Sequence, residues 1–246
     1  MARFARCSLL ALSLFALAAS AAADTLEEAE KAVTAALGKH KTITFTSFTK
    51  SEMDMGGAKF TSESTSKIEA LRTPSGFKLR ADSKYKNVMG GEGANTMEGA
   101  NLMIYDGEFM YMLNDMMGQK MATKDKATAD LPNPFDGGSL FKSLKQEFEL
   151  KLLPDEQVEG EACYAVECTP KGGSASQDSI ARIVNFLSKK SGVSLKSVVY
   201  DKGGAAMTTT TTSELKLDSD LAPNRFEFKA PDGVTVMDST ANPAKP

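Results

Sequence analysis

Thioether sulfur is the most concentrated chemistry in this sequence. Methionine occurs 13 times, and Met89, Met97, Met103, Met110, Met112, Met116, Met117 and Met121 crowd one stretch that ends in FMYMLNDMMGQKM. Thioethers are soft ligands for Cu(I). Met53-Asp54-Met55, Met110-Tyr111-Met112 and Met116-Met117 offer close pairs, and on a strand Met110 and Met112 would share a face about 6.6 Å apart. A copper set would draw on Met110, Met112, Met116, Met117 and Met121. The same unbranched, polarizable side chain also fills irregular cores and lines cavities whose guest varies in shape. Met103, Met110 and Met112 lie inside the most apolar runs of the chain, as core or cavity lining would require, so both chemistries stay open.

Other reactive groups are sparse. His40 is the single histidine, set between Lys39 and Lys41, which suits a solvated loop better than a zinc ligand. Its sequence context nominates neither a Ser-His-Asp set nor a Cys-His set. Acidic residues such as Asp115, Asp125 and Asp130 are scattered among lysines and nominate no catalytic pair. We therefore expect no enzyme, no metal site beyond the copper alternative, and no cofactor.

The first 23 residues place Arg3 and Arg6 before an apolar run from Leu9 to Leu17 and end in Ala21-Ala22-Ala23. That is the layout of a secretory signal peptide cleaved near Ala23, and the apolar run is too short to span a bilayer comfortably. A periplasmic protein without a stable membrane anchor is expected. Without Arg3 and Arg6 the chain carries 27 basic and 32 acidic residues, a balance that does not invite nucleic acid. The mature chain keeps Cys163 and Cys168 in CYAVEC. Export suggests a disulfide, yet on an extended strand these side chains would point to opposite faces roughly 16 Å apart, whereas a bridge needs alpha carbons within about 7 Å. Two buried thiols are expected.

The elements that must position these groups are mostly strands. Thr25-Leu26-Glu27-Glu28 has capping-box spacing, and Leu26, Ala29, Val33 and Leu37 recur on one helical face until Gly38. From Lys41 the period changes to two. KTITFTSFTKSEM, AKFTSESTSKIEAL and SGFKLRADSKY read as strands of a meander, punctuated by Gly56-Gly57 and Pro74-Ser75-Gly76. Residues 87–100 are glycine-rich without phosphate-loop spacing and suggest a flap. In LMIYDGEFMYML, Asp106-Gly107 between two β-rich runs is a strong hairpin signal. Both runs are apolar on both faces, so the sheet must be covered on both sides there. DLPNPFDGG reads as a loop, after which Ser139 could cap a helix through Leu140, Phe141 and Leu144. FELKLLP, ACYAVECTP, VSLKSVVYD, AAMTTTTTSELKL and NRFEFKAP continue the strands. RIVNFLSKKSGVSLKSVVYD fits either a helix or a hairpin turning at KKSG. About ten strands, two or three short helices and no βαβ alternation predict a mainly β (α+β) domain over residues 24–238: one curved antiparallel sheet holding helices against its inner face. Residues 239–246 read as a disordered tail.

The YDG hairpin, the G-x-x-C-Y-x-x-x-x-T-P-K strand from Gly160 to Lys171 and the closing F-x-F-x-x-P-x-G-V-x-V-x-D from Phe226 to Asp238 together resemble the periplasmic lipoprotein-carrier superfamily of LolA, whose relatives include the stress sensor RseB and mycobacterial lipid carriers. The resemblance implies a half-open β-barrel with short helices plugging an apolar concave face, and a hairpin over Arg182–Asp201. It implies that the concave face takes up acyl chains, with lipid or lipoprotein cargo and envelope lipoprotein-transport proteins as partners. Carrying an acyl chain of about fifteen methylenes through water requires offsetting roughly 12 kcal/mol, at ~0.8 per methylene. The candidate lining for such a chain is Phe45, Phe77, Leu79, Met103, Tyr105, Met110, Met112, Val184, Phe186, Phe226 and Phe228. Which face of each strand turns inward is left open by the pattern, since Phe109 and Tyr111 alternate with Met110 and Met112.

Overall fold

The structure, a computed structural model, describes residues 25–54, 57–90, 95–128, 131–172 and 179–240; the expected signal peptide and most of the expected tail lie outside them. The order is α1 (Leu26–Leu37), β1 (Thr42–Asp54), β2 (Lys59–Thr73), β3 (Gly76–Met89), β4 (Asn95–Tyr105), β5 (Phe109–Met116), β6 (Gln119–Lys126), α2 (Gly137–Glu147), β7 (Phe148–Leu152), β8 (Glu156–Val158), β9 (Glu161–Pro170), β10 (Ile180–Ser188), β11 (Ser194–Asp201), β12 (Ala206–Leu217) and β13 (Val236–Asp238). The strands form one curved open sheet in the order β13-β6-β5-β4-β3-β2-β1-β12-β11-β10-β9-β7, with β8 paired to β9. Only β13 on β6 is parallel among the described pairings. This is the curved antiparallel sheet that the alternation of period two predicts, in the half-open form that the resemblance implies.

Both helices lie against the concave face. In α1 the capping box forms as its spacing predicts: the Glu28 N–H donates to Thr25 Oγ1 at 3.2 Å and the Thr25 N–H to Glu28 Oε2 at 2.7 Å. Ala29, Val33 and Leu37 are buried against the sheet. For α2 the expected cap is displaced by three residues. Asp136, not Ser139, caps it, its carboxylate accepting from the N–H groups of Gly138 and Ser139. The helix starts on glycine because α1 lies directly above: a Cβ at Gly137 would stand 2.8 Å from Thr34 Cα.

The hairpin of β10 and β11 forms, turning at Lys189–Gly192. Gly192 has φ 77° and sits so close to α1 that a Cβ would meet Leu37 Cγ and the Val33 carbonyl at 2.8 Å, so the turn docks on the helix. Two expectations are corrected. The glycine-rich stretch 87–100 is largely strand, because β3 and β4 keep pairing through Asn87–Met97 to Met89–Asn95; residues 91–94 of the expected flap lie outside the described residues. Gly99 serves there as a flat strand position beneath the Tyr85 ring, whose Oη would be 2.3 Å from any Cβ. NRFEFKAP is not a strand. It is a short 3-10 turn, Pro223–Phe226, followed by extended chain outside any ladder that runs as a strap to β13. Prolines at 223 and 231 withhold two of the N–H groups that a sheet ladder would need.

Candidate functional site

Register identifies which side chains share a face. Across the first half of the sheet, one row is Ile43, Ala70, Leu79, Tyr105, Met110 and Asp125, and the next is Phe45, Ile68, Ala81, Met103, Met112 and Thr123. Ile43, Ala70 and Phe77 are buried in one cluster with Ala29, Val33 and Leu37 of α1 and Phe141 of α2, so both rows face the helices. Phe45, Leu79 and Tyr105 are half-buried at its margin, with the Tyr105 ring 5.0 Å from that of Phe77. Met103, Met110 and Met112 lie next to them on the same face, half-buried. Seven of the eleven candidate lining residues are thus brought together: Phe45, Phe77, Leu79, Met103, Tyr105, Met110 and Met112.

The other four sit on the opposite, convex face. Val184 and Phe186 pack with Cys163, Ala165, Leu195 and Val198 in a second cluster. Phe226 is fully buried under the strap, whose Phe228 stacks on Tyr111 at 5.1 Å between ring centroids. β10 sends Ile183 and Leu187 to the helix side instead. Because β10 is apolar on both faces, its sequence period carries no sign of which set points inward. Ile183, Leu187, Ile68 and Ala81 are the concave residues that alternation alone did not single out. The strap itself is held by Arg225, whose Nε and Nη2 donate to the Glu69 carboxylate at 2.5 and 2.8 Å; the Glu69 side chain is only 3% exposed.

Farther from the helices the concave face changes character. Its rows become Ser47, Ser66, Ser83, Asn101, Asn114 and Met121, then Thr49, Ser64, Tyr85, Gly99, Met116 and Gln119. Thr208, Thr210 and Thr212 of β12 continue them. Hydroxyls pair across strands: Ser66 with Ser83 at 2.8 Å, Thr49 with Thr210 and Ser51 with Thr208 at 2.9 Å. Met53, Met89 and Met97 occupy the same face at the sheet's far end. From Phe45 outward these concave rows contain no lysine, arginine, aspartate or glutamate. The charges alternate onto the convex face, where Lys67 meets Glu69, Arg80 meets Asp82 and Lys86 meets Glu98.

Hollows of about 490 and 510 Å³ both lie on the convex side. The first is floored by Leu102 and Leu113 and rimmed by Lys67, Lys84 and Lys120. The second lies between the Asp106–Glu108 turn and the strap residues Phe226–Phe228. The concave wall beyond the helices is an open trough, with Met116 and Met121 among its exposed side chains.

The titratable groups hold positions of structure. Cys163 and Cys168 are free and buried on opposite faces of β9. Burial pushes both thiols up, while the Asn185 amide, donating to Cys168 Sγ at 3.5 Å, pulls that one partly back. His40 is not a solvated loop residue. Its Nδ1 lies 2.9 Å from Asp218 Oδ2, and its buried Nε2 has no partner. That contact and the Lys41 N–H, 2.6 Å from Oδ1, hold the Asp218 carboxyl below its ordinary value of 3.8. Among the described residues no group of three histidine, cysteine, aspartate or glutamate side chains is placed to hold a metal ion. Of the thioethers that could serve copper, Met110, Met112, Met116 and Met121 share the concave face, whereas Met117 projects from the β5–β6 turn.

No family model and no curated protein matches the sequence. Solved structures do match. An uncharacterized conserved protein from Thermus thermophilus aligns with a TM-score of 0.50 at 12% identity over 86% of this chain and 98% of its own. LprF from Mycobacterium bovis gives 0.40 at 11% over 80% and 96%, and the LolA superfamily protein NE2245 from Nitrosomonas europaea 0.29 at 11% over 84% and 99%. At 12% identity the first of these likenesses is one of fold, and it extends no further. No helix among the described residues is long and apolar enough to cross a membrane.

Proposed function

We propose that this protein is a periplasmic carrier or sensor that binds lipid or lipoprotein acyl chains along its concave wall, and that it does no chemistry on them. One observation carries the reading: beside the helix-capped core the rows from Phe45, Met103 and Met112 outward run uncharged into an open trough, while the convex face of the same strands is charged or strapped over. A sheet that buries apolar residues under helices and leaves their neighbours half-covered offers an aliphatic chain a continuous surface. Each methylene withdrawn from water there contributes about 0.8 kcal/mol. The methionines suit this use because their side chains repack around guests of different length. The LolA-type fold and the leader-like sequence of residues 1–23 point the same way.

Native mass spectrometry of protein taken from its own periplasm tests this reading: lipid-sized added mass is expected, and a fluorescent fatty acid should bind and be displaced by unlabelled lipid. Bare polypeptide that also ignores the probe sinks it. The second reading, a Cu(I) protein, is favoured by the common face of Met110, Met112, Met116 and Met121. Competition against a Cu(I) chelator decides it, since affinity no tighter than micromolar, or indifferent to leucine at those positions, removes it.

A further inference from the structure

The rim of the trough carries a second chemistry. Met89, Met97, Met116 and Met121 are 53%, 43%, 46% and 50% exposed, and register puts all four on the concave face. Met103 and Met112, directly paired one row from the helices, are only half-exposed or less. Thioethers are the readily oxidised groups on this wall, since both thiols are buried with their thiolate forms disfavoured. We propose that these rim methionines are a sulfoxidation site for small oxidants of the hypohalous acid class, and that their oxidation releases the cargo.

The step balances without a cofactor. Two electrons leave the thioether sulfur, the hypohalous halogen is reduced to halide, one oxygen ends on sulfur and a proton is released. Each sulfoxide puts a strong S=O dipole on rows that otherwise bear only uncharged groups, so an aliphatic chain loses its apolar contact there. A dithiol reductase reverses the change by supplying two electrons and two protons, with water leaving. Facial placement separates this from incidental surface oxidation. Met117 is the most exposed methionine at 81%, but it sits in a turn with φ 53° and off the wall, so its sulfoxide should leave binding untouched.

The proposal rests on the acyl-binding reading for its consequence but not for its chemistry, and the experiment separates the two. The full mature chain is titrated with hypochlorous acid. Peptide mass spectrometry follows each methionine, and a fluorescent fatty acid reports binding before and after. The four rim sites are expected to gain oxygen before Met103 and Met112. The oxidised protein should bind the probe at least tenfold more weakly than the same protein unoxidised, and methionine sulfoxide reductase should restore it. A variant with Met89, Met97, Met116 and Met121 changed to leucine should shift less than twofold on oxidation, judged against its own unoxidised form, and Met117→Leu should shift as wild type does. Simultaneous oxidation of rim and deeper sites, or full rim oxidation with unchanged binding, overturns the proposal. If unoxidised protein ignores the probe, the carrier reading falls; the release claim falls with it, and the order of oxidation alone then decides whether the rim is the oxidant's site.

Discussion

The two halves of the sheet solve opposite problems with the same alternation. From β9 to β11 both faces are filled: Tyr164, Val166, Cys168 and Leu187 turn to the helices while Cys163, Ala165, Val184 and Phe186 build a second cluster behind them. From β1 to β6 one face is charged and crossed by the strap, and the other is uncharged from the Phe45 row outward and left open past the helices. A strand buried on both sides spends its side chains on stability. A strand charged on one side keeps soluble while its other face stays free for a ligand, and this is why the open half, not the better-packed half, is the place to look for function.

The sharpest way to break the filled half is Phe141→Ala. This ring is fully buried between α2 and the sheet, so its removal should cost about 3–5 kcal/mol, read as a lowered urea midpoint. Arg225→Ala attacks the cover of the convex face by leaving the nearly buried Glu69 carboxylate without its main partner. About 2 kcal/mol should be lost, and limited proteolysis should cut between 227 and 235 before it cuts elsewhere. Met103→Asp or Met112→Asp sharpens the comparison from the open side: a charge on the wall should weaken fatty-acid binding at least tenfold while moving stability less than either change above, and Lys84→Met on the convex face should leave binding as it was.

The smallest effect expected is at Asp218. Its carboxyl lies below its ordinary 3.8 because His40 and the Lys41 N–H favour the charged form. Its contribution is therefore complete above about pH 4 and drains away as pH falls through the lowered value. Asp218→Asn should melt slightly below wild type near neutrality, and the gap should close in strong acid.

Much of this architecture was legible because local signals were redundant. Asp106-Gly107 set the β4–β5 hairpin, the capping box set α1, and alternation of threonine and serine with charge set the long strands. The hairpin at Lys189–Gly192 needed the family resemblance, since Ile183, Val184 and Leu187 satisfy both helical and strand periods. Facing was harder. In β10 both parities are apolar, so nothing local marks Ile183 and Leu187 as inward and Val184 and Phe186 as outward; that is decided by where α1 docks, a contact between segments far apart in sequence. Phe226 and Phe228 alternate as a strand would, but Pro223 and Pro231 and the bond from Arg225 to Glu69 lay them across the sheet instead. In β3, by contrast, Lys78, Arg80, Asp82, Lys84 and Lys86 all fall on the outer face, whereas β5, with Phe109 and Tyr111 alternating with Met110 and Met112, carries no such mark.

The parallel pairing of β13 with β6 has a consequence for biogenesis. Strand β13 shields part of a border that would otherwise recruit a foreign strand, yet it is made from residues 236–238, more than a hundred positions beyond its partner strand β6. Until those residues have been made and have docked, the flank of β6 is unsealed, and a chaperone that clasps it during that interval would keep it from pairing with a second copy of the chain.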